Sequence, residues 1–399
     1  MKDQKSTFRK LKEICSINPP LGVKVEPDTL VSFLPMEDVA ENGGRIGYQA
    51  RQRSQIALGL TAFRNDDILI AKITPCFENE KGWLANGLEA GVGFGSTELH
   101  VIRCGKEILP RFVYAHTLLP QFRLRGKRYM TGSAGQQRVP ASFLNDYVIW
   151  VPDLQLQSAI CRVDVAYERS LLTFDRLIAA KREQKRGLMQ QLLTGKLRFP
   201  GFTEPWKTVR LGDVLKESRL LGTTGFTAKK ITVKLYGRGV YAKQEKRTGS
   251  VNTRYFKRLS GQLIYSKLDF LNGAFGIVPD ELDGFESTLD MPTFDIFSSA
   301  NPHWLLALVG RRDFYQRFND GAEGGRKAKR VDPSRFFDEV IQLPCRAEQD
   351  RIARLIIILG KEIELLAQQR AAFAAQRRGL MEKLLSGEID IQNPKETAA

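Results

Sequence analysis

Two stretches, KRGLMQQLLTG (185–195) and RRGLMEKLLSG (377–387), decide how this chain is read. They share Arg, Gly, Leu, Met, Leu, Leu and Gly in order, and Gly187 and Gly379 stand 192 positions apart in a chain of 399 residues. The same offset holds upstream, where YVIWVPDLQLQSAI (147–160) lines up with EVIQLPCRAEQDRI (339–352). Val148, Ile149, Pro152, Gln157 and Ile160 recur there as Val340, Ile341, Pro344, Gln349 and Ile352. Fainter matches precede these: DDILIAKI (66–73) with GQLIYSKL (261–268), FGST (94–97) with FEST (285–288), and RKLKEI (9–14) with VRLGDV (209–214). An ordered series of this kind reads as tandem duplication of one module, variable in front and similar at the back. The period is too long for a solenoid.

Each copy closes on a helical pattern. In the first, Ile160, Tyr167, Leu171, Phe174, Ile178, Leu188 and Leu192 fall on 4-3 spacing. In the second, Ile352, Ile356, Leu359, Ile363, Leu366, Phe373, Leu380 and Leu384 do the same. Heptads sustained this far predict a coiled-coil seam, along helices of roughly 50–60 Å at the usual rise per residue. Gly195 and Gly387 suit the helix C-termini, and PGFTEPW (200–206) reads as a link that cannot continue a helix. With a folded module between the two helices, antiparallel pairing is the economical arrangement. Near each end the stripe widens to Leu188, Met189, Leu192 and Leu193, and to Leu380, Met381, Leu384 and Leu385. That is more apolar surface than a two-helix seam covers. These eight residues are expected to meet separate partner subunits, with local packing as the alternative.

The length predicts two or more domains, and 42% hydrophobic with 27% charged residues is the composition of a soluble globular protein. The longest apolar run, LIIIL (355–359), falls far short of a membrane span. The opening MKDQKSTFRKLKE has no signal-peptide core, so a cytoplasmic location is expected. A net charge of +16 and a pI near 9.6 imply a polyanionic partner, foremost nucleic acid. The five cysteines and three histidines show neither paired nor ligand spacing, so reduced thiols and no metal site are expected.

Catalytic motifs do not survive inspection. INPPL (17–21) resembles the Asn-Pro-Pro-aromatic tetrad of adenine methyltransferases, but Leu21 removes the ring that would stack on a flipped base. TGK (194–196) lacks the glycine and Ser/Thr of a P-loop. Asp66–Asp67 reads as a turn into a strand, and the second copy has Gly261–Gln262 instead. No catalytic, cofactor or metal residues are assigned to this chain.

Phosphate contacts supply affinity and base edges supply discrimination, so cations on glycine-punctuated stretches are the candidates for touching DNA. In the first module these are Lys72, then Arg123, Arg125, Lys127 and Arg128 in RLRGKR (123–128), then Gln136, Gln137 and Arg138. Glutamine suits adenine and arginine suits guanine in the major groove. In the second module they are Lys267 at the position matching Lys72, Arg238, Lys243, Lys246 and Arg247 in YGRGVYAKQEKR (236–247), and Arg326, Lys327, Lys329 and Arg330 in GGRKAKRV (324–331).

GLMQQLLTGKLRFPGF (187–202), WKTVRLGDV (206–214), STELHVIR (96–103) and GSAGQQRV (132–139) together resemble the specificity subunit of a type I restriction-modification system. The resemblance extends over nearly the whole chain. It implies an α+β fold with two globular mixed α/β target recognition domains separated by two long antiparallel helices forming a coiled coil. The domains would occupy 1–156 and 199–348, the helices 157–198 and 349–391, and a flexible tail 392–399. The implied partners are double-stranded DNA, two methyltransferase subunits and restriction subunits. S-adenosylmethionine, ATP and Mg would sit on those subunits. The second module departs from the first at GGRKAKRV, so an asymmetric bipartite site is expected. A self-contained methyltransferase with divergent motifs, or a regulatory DNA-binding protein, are the alternatives.

Overall fold

The computed structural model describes residues 7–41, 43–133, 135–244, 249–319 and 330–389. The chain divides into two compact units: Met1–Asp175 with Gln368–Ala399, and Arg176–Ala367. Each combines one mixed α/β module with parts of both long helices.

In the first unit the opening strand Thr7–Lys10 pairs antiparallel with Val148–Val151, the strand that leads into the first long helix. In the second unit Lys207–Arg210 pairs with Val340–Leu343 in the same way. A four-stranded sheet in the first unit has the order Cys15–Ile17, Leu99–Cys104, Ile68–Ala71, Gly82–Leu84. Its counterpart runs Leu215–Ser218, Thr293–Ile296, Leu263–Tyr265, Phe275–Ile277. All neighbours in both are antiparallel. Beyond this frame the modules differ. The first adds a second four-stranded sheet containing the parallel pair Leu30–Leu34 and Val92–Gly95. The second adds a three-stranded sheet and the hairpin Ile231–Val233/Val240–Ala242.

The repeated glutamine holds each frame shut. Gln157 is fully buried. Its Oε1 accepts the Leu109 N–H at 2.9 Å, and its Nε2 donates to the carbonyls of Pro152 at 2.8 Å and Glu107 at 3.3 Å. Gln349, also fully buried, accepts from Asn301 N–H at 2.7 Å and donates to Pro344 at 2.9 Å and Ser299 at 3.0 Å. Leu109 and Asn301 each precede a proline-started helix, Pro110–Thr117 and Pro302–Val309. The glutamine therefore joins that helix to the root of a long helix, using both faces of its amide.

A second repeated contact has changed its chemistry. Asp67 is buried and takes a two-point contact from Arg103, Nε at 2.8 Å and Nη2 at 2.7 Å. The matching pair in the second unit is Gln262 and Asp295, with Nε2 donating at 2.7 Å. Asp66 and Gly261 before them both take left-handed backbone, φ 69° and 81°. The acidic pair is thus a structural turn in which Asp66 is exposed and the Asp67 charge is neutralised by Arg103.

The long helices span Leu154–Leu192 and Arg346–Ser386. The first starts ahead of the expected 157 because Asp153 Oδ1 accepts the Leu156 N–H at 2.8 Å, an N-terminal cap. Gly195 and Gly387 follow the ends at φ 71° and 77°, a conformation that suits glycine. In the first unit the helices pair antiparallel: Arg377 donates to Asp164 at 2.7 Å, Arg370 to Asp175 at 3.1 Å, and Tyr167 and Phe174 both face Phe373. In the second unit Lys181 meets Glu362 at 2.7 Å, again antiparallel with Arg198 on Glu348 at 2.8 Å. Asp164, Lys181, Lys185, Arg370 and Arg377 fill the gaps in the two apolar stripes and continue the 4-3 spacing. Polar seam residues of this kind set register and orientation more than stability.

The expectation for the widened helix ends is corrected. Leu192 and Leu193 are buried in the core of the second unit, with Leu188 and Met189 packed against it. Met381, Leu384 and Leu385 are buried in the core of the first unit, with Leu380 packed against it. These side chains seal the helix ends onto a module of the same chain, so they offer little surface to a partner subunit. The cost of exposing that much apolar area decides it, at roughly 25 cal/mol per Å2. No described helix is long and apolar enough to cross a membrane.

Candidate nucleic-acid interface

Three segments of the first module meet around Lys72. Lys72 follows directly on the strand Ile68–Ala71, and its N–H donates to the Glu98 carbonyl at 2.9 Å. Its own carbonyl accepts from Val139 N–H at 2.9 Å. Just before Val139, Thr131 and Arg138 exchange backbone hydrogen bonds at 3.0 and 2.9 Å and close a hairpin. Gly132 and Gly135 take φ values of 118° and 85° within it, backbone that a residue with a Cβ adopts at a cost. This presents Gln136 exposed, with Gln137 and Arg138 half-buried. Arg138 is clasped by Glu98 through Nε at 2.9 Å and Nη2 at 2.7 Å. The guanidinium in turn holds the Glu98 carboxyl below the usual range.

The helix Pro120–Arg128 carries Arg125, Lys127 and Arg128 on its exposed side. Lys127 pairs with Glu78 at 3.0 Å. Arg123 is corrected as a DNA contact: it points into the module and is 6% exposed. It donates to the carbonyls of Thr117 at 3.0 Å and Phe77 at 3.0 Å. Burial lowers its pKa to about 10, yet it remains a cation at neutral pH. Helical spacing explains the difference, since Arg123 shares the inward face with Phe122 and Gly126.

The second module builds the same arrangement with different residues. Lys267 N–H donates to the Asp290 carbonyl at 2.8 Å, and its carbonyl accepts from Val331 N–H at 3.2 Å. Arg330 lies 3.6 Å from the Asp290 carboxylate, and Lys267 reaches Asp332 at 3.4 Å. Arg238 and Lys243 are exposed at the turn and far end of the hairpin Ile231–Val233/Val240–Ala242. Lys246, Arg247, Arg326, Lys327 and Lys329, like the tail 392–399, lie outside the described residues. Glu98 and Asp290 escaped the sequence reading. The only signal was an acid shortly after FGST and FEST, in segments 40 residues from the arginines they meet.

The Asn-Pro-Pro segment lines a cleft of about 480 Å3 beside Lys72 and Thr97. Asn18 takes left-handed backbone, φ 50°, and its Oδ1 accepts the Val101 N–H at 2.9 Å. Its Nδ2 lies 3.1 Å from His100 Nδ1. An amide engaged on both sides by its own module is not presented to the amino group of a base.

A basic chain in which one α+β module occurs twice, each copy closing on a long antiparallel helix, has the fold of type I restriction-modification specificity subunits. No family model matches the chain. It is 40% identical over 152 residues to the type I restriction enzyme EcoAI specificity subunit of Escherichia coli, covering 38% of this chain and 26% of that protein. It is 39% identical over 152 residues to the EcoEI specificity subunit of the same organism, covering 38% and 25%. The matched stretch is therefore about a quarter of the length of either relative. Among solved structures, a chain from work on complex assembly and conformational transition of the type I R-M system superposes with TM-score 0.62 at 15% identity, covering 98% of this chain and all of that one. The S subunit from M. genitalium gives 0.53 at 12% identity, covering 97% of each chain. The HsdS subunit from Thermoanaerobacter tengcongensis gives 0.50 at 16%, covering 98% and 99%. At these identities the solved structures carry the fold, and the Escherichia coli relatives carry the likeness in sequence.

Proposed function

We propose that this chain is the DNA-specificity subunit of a type I restriction-modification complex. Each module binds one half of a split, asymmetric duplex site, and the paired helices fix the distance between the halves. The observation that carries this reading is the duplicated frame with divergent fronts. Gln157 and Gln349 keep equivalent hydrogen bonds, while the sheets added to the shared four-stranded one differ in number and in strand count. One scaffold with two unlike readers suits a target with two unlike halves. The similarity to the two Escherichia coli specificity subunits supports the same assignment.

On this reading the chain performs no chemistry. Two methyltransferase subunits bring S-adenosylmethionine, restriction subunits bring ATP and Mg, and the assembly works in the cytoplasm. The net charge of +16 supplies the long-range attraction for DNA. Co-expression with a type I methyltransferase subunit, followed by methylation mapping of the host genome, tests the proposal. A single bipartite motif with a constant spacer is the expected result, and two methyltransferase subunits per chain in the purified complex. Binding of S-adenosylmethionine by the isolated chain, with methylation of DNA in the absence of any partner, would replace this reading with a self-contained methyltransferase.

A further inference from the structure

In the first module an arginine at the front is gripped along one edge by an acid, and the matching positions of the second module place an acid beside an arginine again. Arg138 meets Glu98 through Nε, at 2.9 and 3.1 Å to the two carboxylate oxygens, and through Nη2 at 2.7 Å. Among the described residues its remaining nitrogen, Nη1, meets the Gln136 carbonyl at 3.3 Å. A guanidinium offers two forks, and the Nη1–Nη2 fork is the one left for a ligand. Guanine presents O6 and N7 in the major groove at the spacing such a fork matches.

The backbone beneath is pinned. Arg138 N–H donates to Thr131, and the Glu98 carbonyl accepts from Lys72 N–H. The second module repeats the backbone plan, with Lys267 N–H donating to the Asp290 carbonyl, but its ion pair is looser: Arg330 Nη1 lies 3.6 Å from Asp290 Oδ1, and the Nε edge is not the one that meets the acid. Arg138 and Arg330 both lie 192 positions apart, as do Glu98 and Asp290. Burial separates these pairs from a structural staple. The Arg103 and Asp67 side chains are 13% and 1% exposed, and the second module replaces that pair with Gln262 and Asp295. Arg138 and Arg330 are 44% and 56% exposed, and there the arginine and the acid are both retained while the loop around them changes from GSAGQQRV to GGRKAKRV.

We infer that Arg138 reads a guanine in one half-site, with Glu98 as the positioning residue that holds its fork in the reading orientation, and that Arg330, at the matching position beside Asp290, reads a guanine in the other. The inference rests on the DNA-specificity reading above and adds the base and the residues that read it.

The test is selection from a duplex DNA pool randomised over its central part, using the purified full-length chain, with sequencing of the bound fraction. Arg138→Lys keeps the charge but not the fork. It is expected to lower the preference for guanine at one position by about tenfold and leave the rest of the motif intact. Arg330→Lys does the same in the other half-site, and Glu98→Gln relaxes the position that Arg138→Lys relaxes. The melting temperature of each variant is measured alongside. Arg138→Lys selecting the unaltered motif, or Glu98→Gln lowering the melting temperature with every base preference intact, overturns the inference in favour of a surface staple. If the wild-type chain selects no motif while remaining folded, the specificity reading itself fails, and this inference with it.

Discussion

Replacing Gln157 by leucine tests whether the duplicated frame is one energetic unit used twice. The substitution keeps much of the side-chain volume and removes three hydrogen bonds, to Leu109 N–H, Pro152 C=O and Glu107 C=O. The Pro152 carbonyl is buried, and an unsatisfied buried group costs about 1–3 kcal/mol. Leu109 is half-buried and Glu107 exposed, so water recovers part of the other two. The added apolar burial returns about 1 kcal/mol. A net loss of about 2–3 kcal/mol follows. Gln349→Leu strips the equivalent three contacts and should cost the same to within about 1 kcal/mol. Hydrogen exchange read by mass spectrometry localises each effect. Gln157→Leu should speed exchange in Pro110–Thr117, and Gln349→Leu in Pro302–Val309. A loss under about 0.5 kcal/mol at one site beside a full loss at the other refutes the equivalence.

Three further outcomes follow from the geometry. Asp164 is buried and shared by Arg111 at 2.6 Å and Arg377 at 2.7 Å. Asp164→Ala should cost about 3 kcal/mol in urea unfolding, the lower end for a broken buried pair because both arginines reach solvent; a loss under about 1 kcal/mol would make the seam polarity incidental. His116 is buried beside Phe112, and burial pushes its pKa down to about 3. Below its ordinary pKa of about 6.5 the unfolded chain binds a proton that the folded chain refuses. This contribution is therefore complete above about pH 6.5 and is lost as pH falls toward about 3, and His116→Phe should flatten that part of the acid-unfolding curve. Finally, alanine at Arg125, Lys127 and Arg128 should lower the salt slope of DNA binding by about one unit per phosphate contact removed. Arg123→Ala should leave the slope unchanged and lower stability instead, because its donors serve two carbonyls inside the module. Fluorescence titrations across a salt series separate the two.

Periodicity and repetition are local properties, so the sequence alone determined the duplicated frame, the two long helices with their antiparallel sense, and the glycines that end them. Even the seam's gaps at Asp164, Lys181, Lys185, Arg370 and Arg377 were countable, since each completes a 4-3 step. The tertiary structure decided the rest, wherever an outcome depends on which distant segment arrives opposite a side chain. Leucines at the helix ends looked available to partners because much of the core that receives them, Leu192 and Leu193 sharing theirs with Trp304, lies more than a hundred residues away in the chain. Arg123 looked like its cationic neighbours until the Phe77 and Thr117 carbonyls closed around it. Glu98 had no reason to be noticed before strand pairing carried it to Arg138. A cation reads the same on paper whether it ends in water or in a core, and only the packed fold supplies the partner that chooses between them.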